Sequence, residues 1–149
     1  MHAFLAGTTE PLERAYRLAL LDLDGVVYRG KDPVEHAAES IRTAERAGLF
    51  VQYTTNNSSR FQRVVADQLR GFGLTVDPTQ IITSAVVAAR MVARHVEPGS
   101  RVLVLGAEPL RQEVRSQGLT VVDDAASDPQ AVLQGRHPGL TWRELPAVV

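Results

Sequence analysis

The sequence predicts an α/β fold built around a parallel sheet. Three observations predict it. Short apolar runs alternate with amphipathic stretches, as strands alternating with helices do. Gly48-Leu49, Gly73-Leu74 and Gly118-Leu119 each close a helical pattern and open a strand-like one, which is how glycines with positive φ end helices. Asp22 and Asp24 directly follow the first apolar run, and open α/β sheets bind ligands beyond the carboxyl ends of their strands.

Residues 1–15 read as a flexible N-terminus, with 1 to about 11 loosely held. Arg17–Leu21 reads as a strand buried on both faces. Asp32-Pro33-Val34-Glu35 has capping-box spacing with proline in the first turn, so a helix is expected from there to about Ala47, stopped by Gly48. Leu49–Thr54 is the second strand. Ser59-Arg60-Phe61-Gln62 repeats the capping-box pattern and opens a helix ending near Gly71 or Gly73. Thr83-Ser84 opens another, to about Val96, broken by Pro98-Gly99. Arg101–Leu105 is a strand, about Pro109 to Gln117 a helix, Leu119–Val122 a strand and Ala131–Leu133 a further short one. The Val86-Val87…Met91-Val92 stripe has helical spacing and reads as core. Thr141–Glu144 has the spacing of a helix start, yet the sequence ends before that helix gains length, which reads as a chain cut short.

With 149 residues, 44% apolar and 22% charged, the chain has the composition of a soluble globular protein. A net charge of -1, with fifteen scattered Arg and the single Lys31, favours neither nucleic acid nor an acidic membrane surface as partner. No apolar stretch approaches the roughly 18 residues of a membrane span. Absence of cysteine excludes disulfides, thiolate metal sites and cysteine nucleophiles and is compatible with a cytoplasmic protein. A homo-oligomer is left open.

The chemistry lies in Asp22-Leu23-Asp24-Gly25. Carboxylates at i and i+2 leave a strand end on one side, and like charges so close push their pKa values apart. One can then stay ionised as a nucleophile while the other holds a proton as general acid. Hard oxygen ligands of this kind suit Mg²⁺, and Gly25 lets the backbone turn at once. The same four residues also fit an ordinary strand-end turn; a calcium loop fits worse, lacking a third ligand before its glycine. The second strand adds Thr54-Thr55-Asn56-Asn57-Ser58-Ser59, hydroxyls and amides just ahead of a helix N-terminus, where phosphate is favoured. Helix capping accounts for one of the two serines, not for six polar residues in a row.

Asp22-Leu23-Asp24-Gly25-Val26-Val27-Tyr28-Arg29-Gly30 resembles the first signature of haloacid dehalogenase-type phosphatases, and Thr55-Asn56-Asn57-Ser58-Ser59-Arg60 the second, in its class IIA form. Ile81 to Glu113 and Ala131–Gly135 followed by Trp142 are similar to that class's inserted cap. The resemblance covers about residues 16–145. It implies a Rossmann-like core, here residues 16–82, joined to an α/β cap, here 83–149, each incomplete. It also implies a small phosphorylated substrate and Mg²⁺ as cofactor. Asp22 would attack phosphorus and form an aspartyl-phosphate. Asp24 would protonate the leaving alcohol and then activate water. Thr55 and Asn56 would hold the phosphoryl group beside Gly25, with metal on the Asp22 carboxylate and the Asp24 carbonyl.

The family's third-signature Lys or Arg and fourth-signature acids follow the cap. Lys31 sits too early to be the former, and an Arg substitute would have to come from a cap-like segment. Asp123, Asp124 and Asp128 after a strand could stand for the latter in a capless relative, although such loops are usually solvated turns. Arg29 and Arg60 are read either as phosphate-facing or as surface charges. His2, His36, His95 and His137 lack metal-ligand spacing. The rival expectation is a non-catalytic remnant or fragment that binds phosphate or a protein partner.

Overall fold

A computed structural model of the chain describes residues 10–137 and 139. After a single helical turn α1 (Leu12–Ala15), β1 (Leu18–Asp22) leads into a hairpin of β2 (Tyr28–Arg29) and β3 (Asp32–Pro33). Then come α2 (Ala37–Arg46), β4 (Phe50–Thr55), α3 (Gln62–Gly71), β5 (Ile81–Thr83) and α4 (Ser84–Ala93). The rest is β6 (Arg101–Leu105), α5 (Glu108–Ser116), β7 (Thr120–Val122) and β8 (Ala131–Gln134). Two parallel three-stranded sheets result, ordered β1-β4-β5 and β7-β6-β8. The α/β class and the parallel pairing are as expected. No helix among the described residues is long and apolar enough to cross a membrane. The Thr141–Glu144 helix start and Trp142 lie outside the described residues.

Each sheet has its own core. Alternation along β1 and β4 turns Ala19, Leu21, Val51 and Tyr53 toward Ile41 of α2 and Val65, Ala66 and Leu69 of α3. The second core joins Ala85 and Ala89 of α4 to Val102 and Val104 of β6 and Leu110 and Val114 of α5. Gly48, Gly73 and Gly118 have φ of 100°, 83° and 75°, the left-handed conformation foreseen where helices give way to Leu.

Four expectations need correction, and one strand is an addition to them. The first strand is not buried on both faces. It is an edge strand in this sheet, and Leu18, Leu20 and neighbouring Phe50 are 47%, 58% and 53% exposed because no described element covers that side. Asp32 does not open a helix. Asp32 and Pro33 pair with Arg29 and Tyr28 across the Gly30-Lys31 turn, and α2 starts at Ala37, after His36 at φ 63°. Ser59 does not cap α3, whose N-cap is Phe61 with no side-chain bond; the Ser59 N–H and Oγ–H donate to Asn57 Oδ1 instead. Strand β5 was unforeseen. The Asp77 carboxylate accepts from the Thr79 N–H while the Asp77 N–H donates to Gln80 Oε1, and Gln80 Nε2 donates to the Val51 carbonyl. That cap seats the chain alongside β4. Finally, the Val86-Val87…Met91-Val92 stripe divides. Val86 is buried and Val92 packs on the second core, but Val87 and Met91, one helical turn apart, are exposed.

Candidate active site

Asp22 is the last residue of β1 and lies opposite Thr54 in the parallel register. Leu23 is fully buried while Asp22 and Asp24 on either side of it are exposed, the alternation a strand end imposes. The chain then knots. The Leu23 carbonyl accepts from the N–H groups of Val26, Val27 and Tyr28, and the Gly25 N–H donates to the Tyr28 carbonyl at 2.7 Å. Gly25 adopts φ 83°, open only to glycine at little cost. This turn carries Val27 and Tyr28 into the core and leaves both carboxylates outside it. Burial raises the Tyr28 pKa, and the negative charges of Asp24 and Asp22 add to the rise while Arg60 opposes it.

The second half of the site is the loop after β4. Thr55 is 9% exposed, and its Oγ1 accepts from the Asn57 N–H at 3.2 Å. Asn57 Oδ1 takes two donors from Ser59, its N–H and its Oγ–H. Thr54 Oγ1 donates to the Leu21 carbonyl at 3.3 Å, tying the two strand ends, and Ser84 Oγ donates to the Asn56 carbonyl at 2.8 Å, tying the loop to α4. Asp22, Thr54, Thr55, Asn56, Ile82, Ser84, Val87, Ala88 and Met91 line one cleft of about 550 Å³. Of the predicted site residues, Asp22, Thr55 and Asn56 meet in it; Asp24 and Gly25 belong to the turn next to it and are not among its lining residues.

Among the described residues no hydrogen bond or ion pair occupies the carboxylates of Asp22 and Asp24. Their oxygens are therefore available, as donors of the hard type that Mg²⁺ prefers. No group of three His, Asp or Glu side chains fit to hold a metal occurs among the described residues. Asp123, Asp124 and Asp128 do not supply one, since Asp123 pairs with Arg111, Asp128 with Arg101, and Asp124 caps a short 3-10 turn. Arg60 is not among the residues lining the cleft and donates to Gln68 Oε1 at 2.7 Å, and Lys31 stands in the hairpin turn.

Two polar residues escaped the sequence reading. Ser58, read only as part of the polar run, accepts from the Arg136 N–H through its hydroxyl at 3.1 Å. Ser84, read only as part of a helix start, holds the Asn56 carbonyl. The signal for Ser58 is the unbroken polar run at the end of β4, too long for capping alone; Ser84 lies outside that run and has no such signal.

A sequence profile of the haloacid dehalogenase-like hydrolases matches residues 19–120. The chain belongs to this family. Among curated proteins it is 39% identical over 126 residues to a D-glycerol 3-phosphate phosphatase of Mycobacterium tuberculosis, covering 85% of this chain and 35% of that one. It is 36% identical to a 5′-nucleotidase of Bacillus subtilis, covering 72% and 41%. The structure of the M. tuberculosis glycerol phosphate phosphatase in complex with magnesium superimposes with a TM-score of 0.83 at 34% identity, covering 91% of this chain and 40% of that one. This haloacid dehalogenase-like chain thus spans between 35% and 50% of the length of the curated relatives it matches.

Proposed function

We propose that this site hydrolyses a small phosphate monoester through Asp22. The observation that carries the reading is the meeting of the Asp22 carboxylate with the Thr55-Asn56 loop in one cleft at the carboxyl ends of paired strands. An Asp22 oxygen forms a bond to phosphorus as the ester P–O bond breaks, giving an aspartyl-phosphate. Asp24 gives its proton to the departing alcohol oxygen, then accepts one from the water that attacks the phosphoryl group. Phosphate leaves and Asp22 is regenerated. Thr55 and Asn56 hold the phosphoryl oxygens, and Gly25 keeps the turn open beside them. Magnesium, when bound, supplies positive charge against the phosphate, and the residues here that would hold it are Asp22 through its carboxylate and Asp24 through its carbonyl.

The relatives support the reaction class. They are named as acting on glycerol 3-phosphate, on a 5′-nucleotide and, in staphylococci, as acid sugar phosphatases. These differ in the alcohol and share the phosphate ester. A second reading, a chain that binds phosphate without turnover, is favoured by one observation: among the described residues no third acidic ligand joins Asp22 and Asp24.

Hydrolysis of p-nitrophenyl phosphate with and without Mg²⁺, beside Asp22→Asn, tests both. Magnesium-dependent turnover lost in the variant is the expected result. A folded chain that binds phosphate but releases no nitrophenol establishes the second reading instead.

A further inference from the structure

The cleft does not stop at Asn56. A second depression of about 460 Å³ is lined by Asn56, Ser58, Ser84, Gln134, Gly135 and Arg136, with Ala88 and Leu110 as its apolar wall. It shares Asn56, Ser84 and Ala88 with the cleft that holds Asp22. The two depressions adjoin at these residues as one groove, with Asp22 among the residues of its first part and Arg136 among those of its far part. Its first part sets Ile82, Val87, Ala88 and Met91 against polar residues of the β1 and β4 ends, and its far end carries amides, hydroxyls and one guanidinium.

Arg136 is held there by its backbone. Its N–H donates to Ser58 Oγ, its carbonyl accepts from the Ala107 N–H, and the preceding Gly135 N–H donates to the Leu105 carbonyl at 2.8 Å. Junction of the two sheets at this point needs nothing from the guanidinium, whose one hydrogen bond among the described residues is a long one to Ser59 Oγ at 3.4 Å. Arg70, Arg101, Arg111 and Arg115 all pair with carboxylates. Arg136 has no ion pair among the described residues, and no Asp or Glu lines its depression. Among the described residues its five N–H donors meet one weak acceptor, which leaves the cation able to take an anion. Beside it the Ser58 hydroxyl, only 7% exposed, accepts from Arg136 and has no acceptor for its own proton among the described residues.

We propose that Arg136 makes the far end of the groove a second anion subsite, selecting phosphate monoesters that carry another anionic group on the alcohol portion. The inference rests on the phosphatase reading, which puts the reacting phosphate at Asp22 and Thr55. With that end fixed, the alcohol portion extends along Asn56 and Ser84, and a carboxylate or second phosphate on it reaches the guanidinium. Arg136 is a specificity-determining residue on this account and takes no part in the bond changes.

Calorimetric titration of the purified chain with phosphoglycolate, ethyl phosphate and inorganic phosphate tests it. The first two differ in the carboxylate alone. Phosphoglycolate is expected to bind about tenfold tighter than ethyl phosphate, the worth of one charge-assisted contact in a partly open site. That preference should fall to within about twofold in Arg136→Gln, persist in large part in Arg136→Lys, and shrink with added salt. Equal affinity for the two esters, or a preference that survives in Arg136→Gln, overturns the second subsite and leaves the phosphatase reading standing. Failure of all three ligands to bind overturns both.

Discussion

A methyl group placed on Gly135 would lie 2.7 Å from Ser58 Oγ and 2.8 Å from Leu110 Cδ2. The two sheets therefore touch at a point with no room for a side chain, and the touching loop is the one that follows β4. Gly135→Ala should turn Ser58 off the Arg136 N–H or push Leu110 into the second core. Either response costs on the order of 1–3 kcal/mol, as overpacking does. Urea denaturation of the variant beside the parent measures it; an unchanged midpoint would show that the junction gives way freely.

Asp24 serves the leaving group in the proposed mechanism. Asp24→Asn should slow hydrolysis of alkyl phosphates by roughly 10²–10⁴-fold and that of p-nitrophenyl phosphate much less, since nitrophenolate departs without a proton. Steady-state rates on both substrates decide the matter. Equal losses would remove Asp24 from the acid role.

Tyr53 is fully buried, and its hydroxyl has no hydrogen-bond partner among the described residues. Burial, helped by the charge of Glu45, pushes its pKa from 10.0 up to about 12. The folded state thus keeps a proton that the unfolded chain gives up first. This contribution is whole below about pH 10 and is lost as pH rises from there through about 12, up to ~3 kcal/mol for the interval. Tyr53→Phe sacrifices no hydrogen bond, so stability near neutral pH should hold or rise by about 1 kcal/mol. Its decline from pH 9 to pH 12 should be shallower than the parent's in denaturant titrations. A parallel decline in both proteins would refute the assignment.

Gln68 links three parts of the molecule. Its Oε1 accepts from Arg60 at 2.7 Å and its Nε2 donates to the Gly30 carbonyl at 3.1 Å. The helix α3 so pins the hairpin that follows the acidic turn. Gln68→Ala should cost about 1–2 kcal/mol and speed hydrogen exchange at the Val34 amide, which donates to Val27 across the hairpin. Exchange there at the parent's rate would show that the hairpin holds itself.

Much of this was legible from local sequence. Asp22 at a strand end, the positive φ of Gly48, Gly73 and Gly118, and the limits of β6 all follow from chemistry acting over a few residues. The misreadings share a cause. Asp32-Pro33 and Ser59-Gln62 carry capping-box spacing, but Asp32 is drawn into a strand pair and Ser59 into a turn around Asn57, each partner lying outside the four-residue window. Among the described residues the box that forms is Asp77 with Gln80, and the helix it starts is a single 3-10 turn with no apolar periodicity to mark it.

Side-chain identity and spacing were enough to give the α/β class, the order of its main elements and the family, because the two segments that carry the family resemblance are contiguous and sit at strand ends. Packing over long range settled the rest. Parallel pairing of β1 with β4 sets Asp22 beside the loop after Thr55, across more than thirty residues of chain. The fold-back of β8 puts Arg136 against Ser58, 78 residues away in sequence. Which face of β1 stays open, and which side of α4 turns to the groove, depend on elements distant in sequence that compete for the same apolar surface, and no local pattern encodes that outcome.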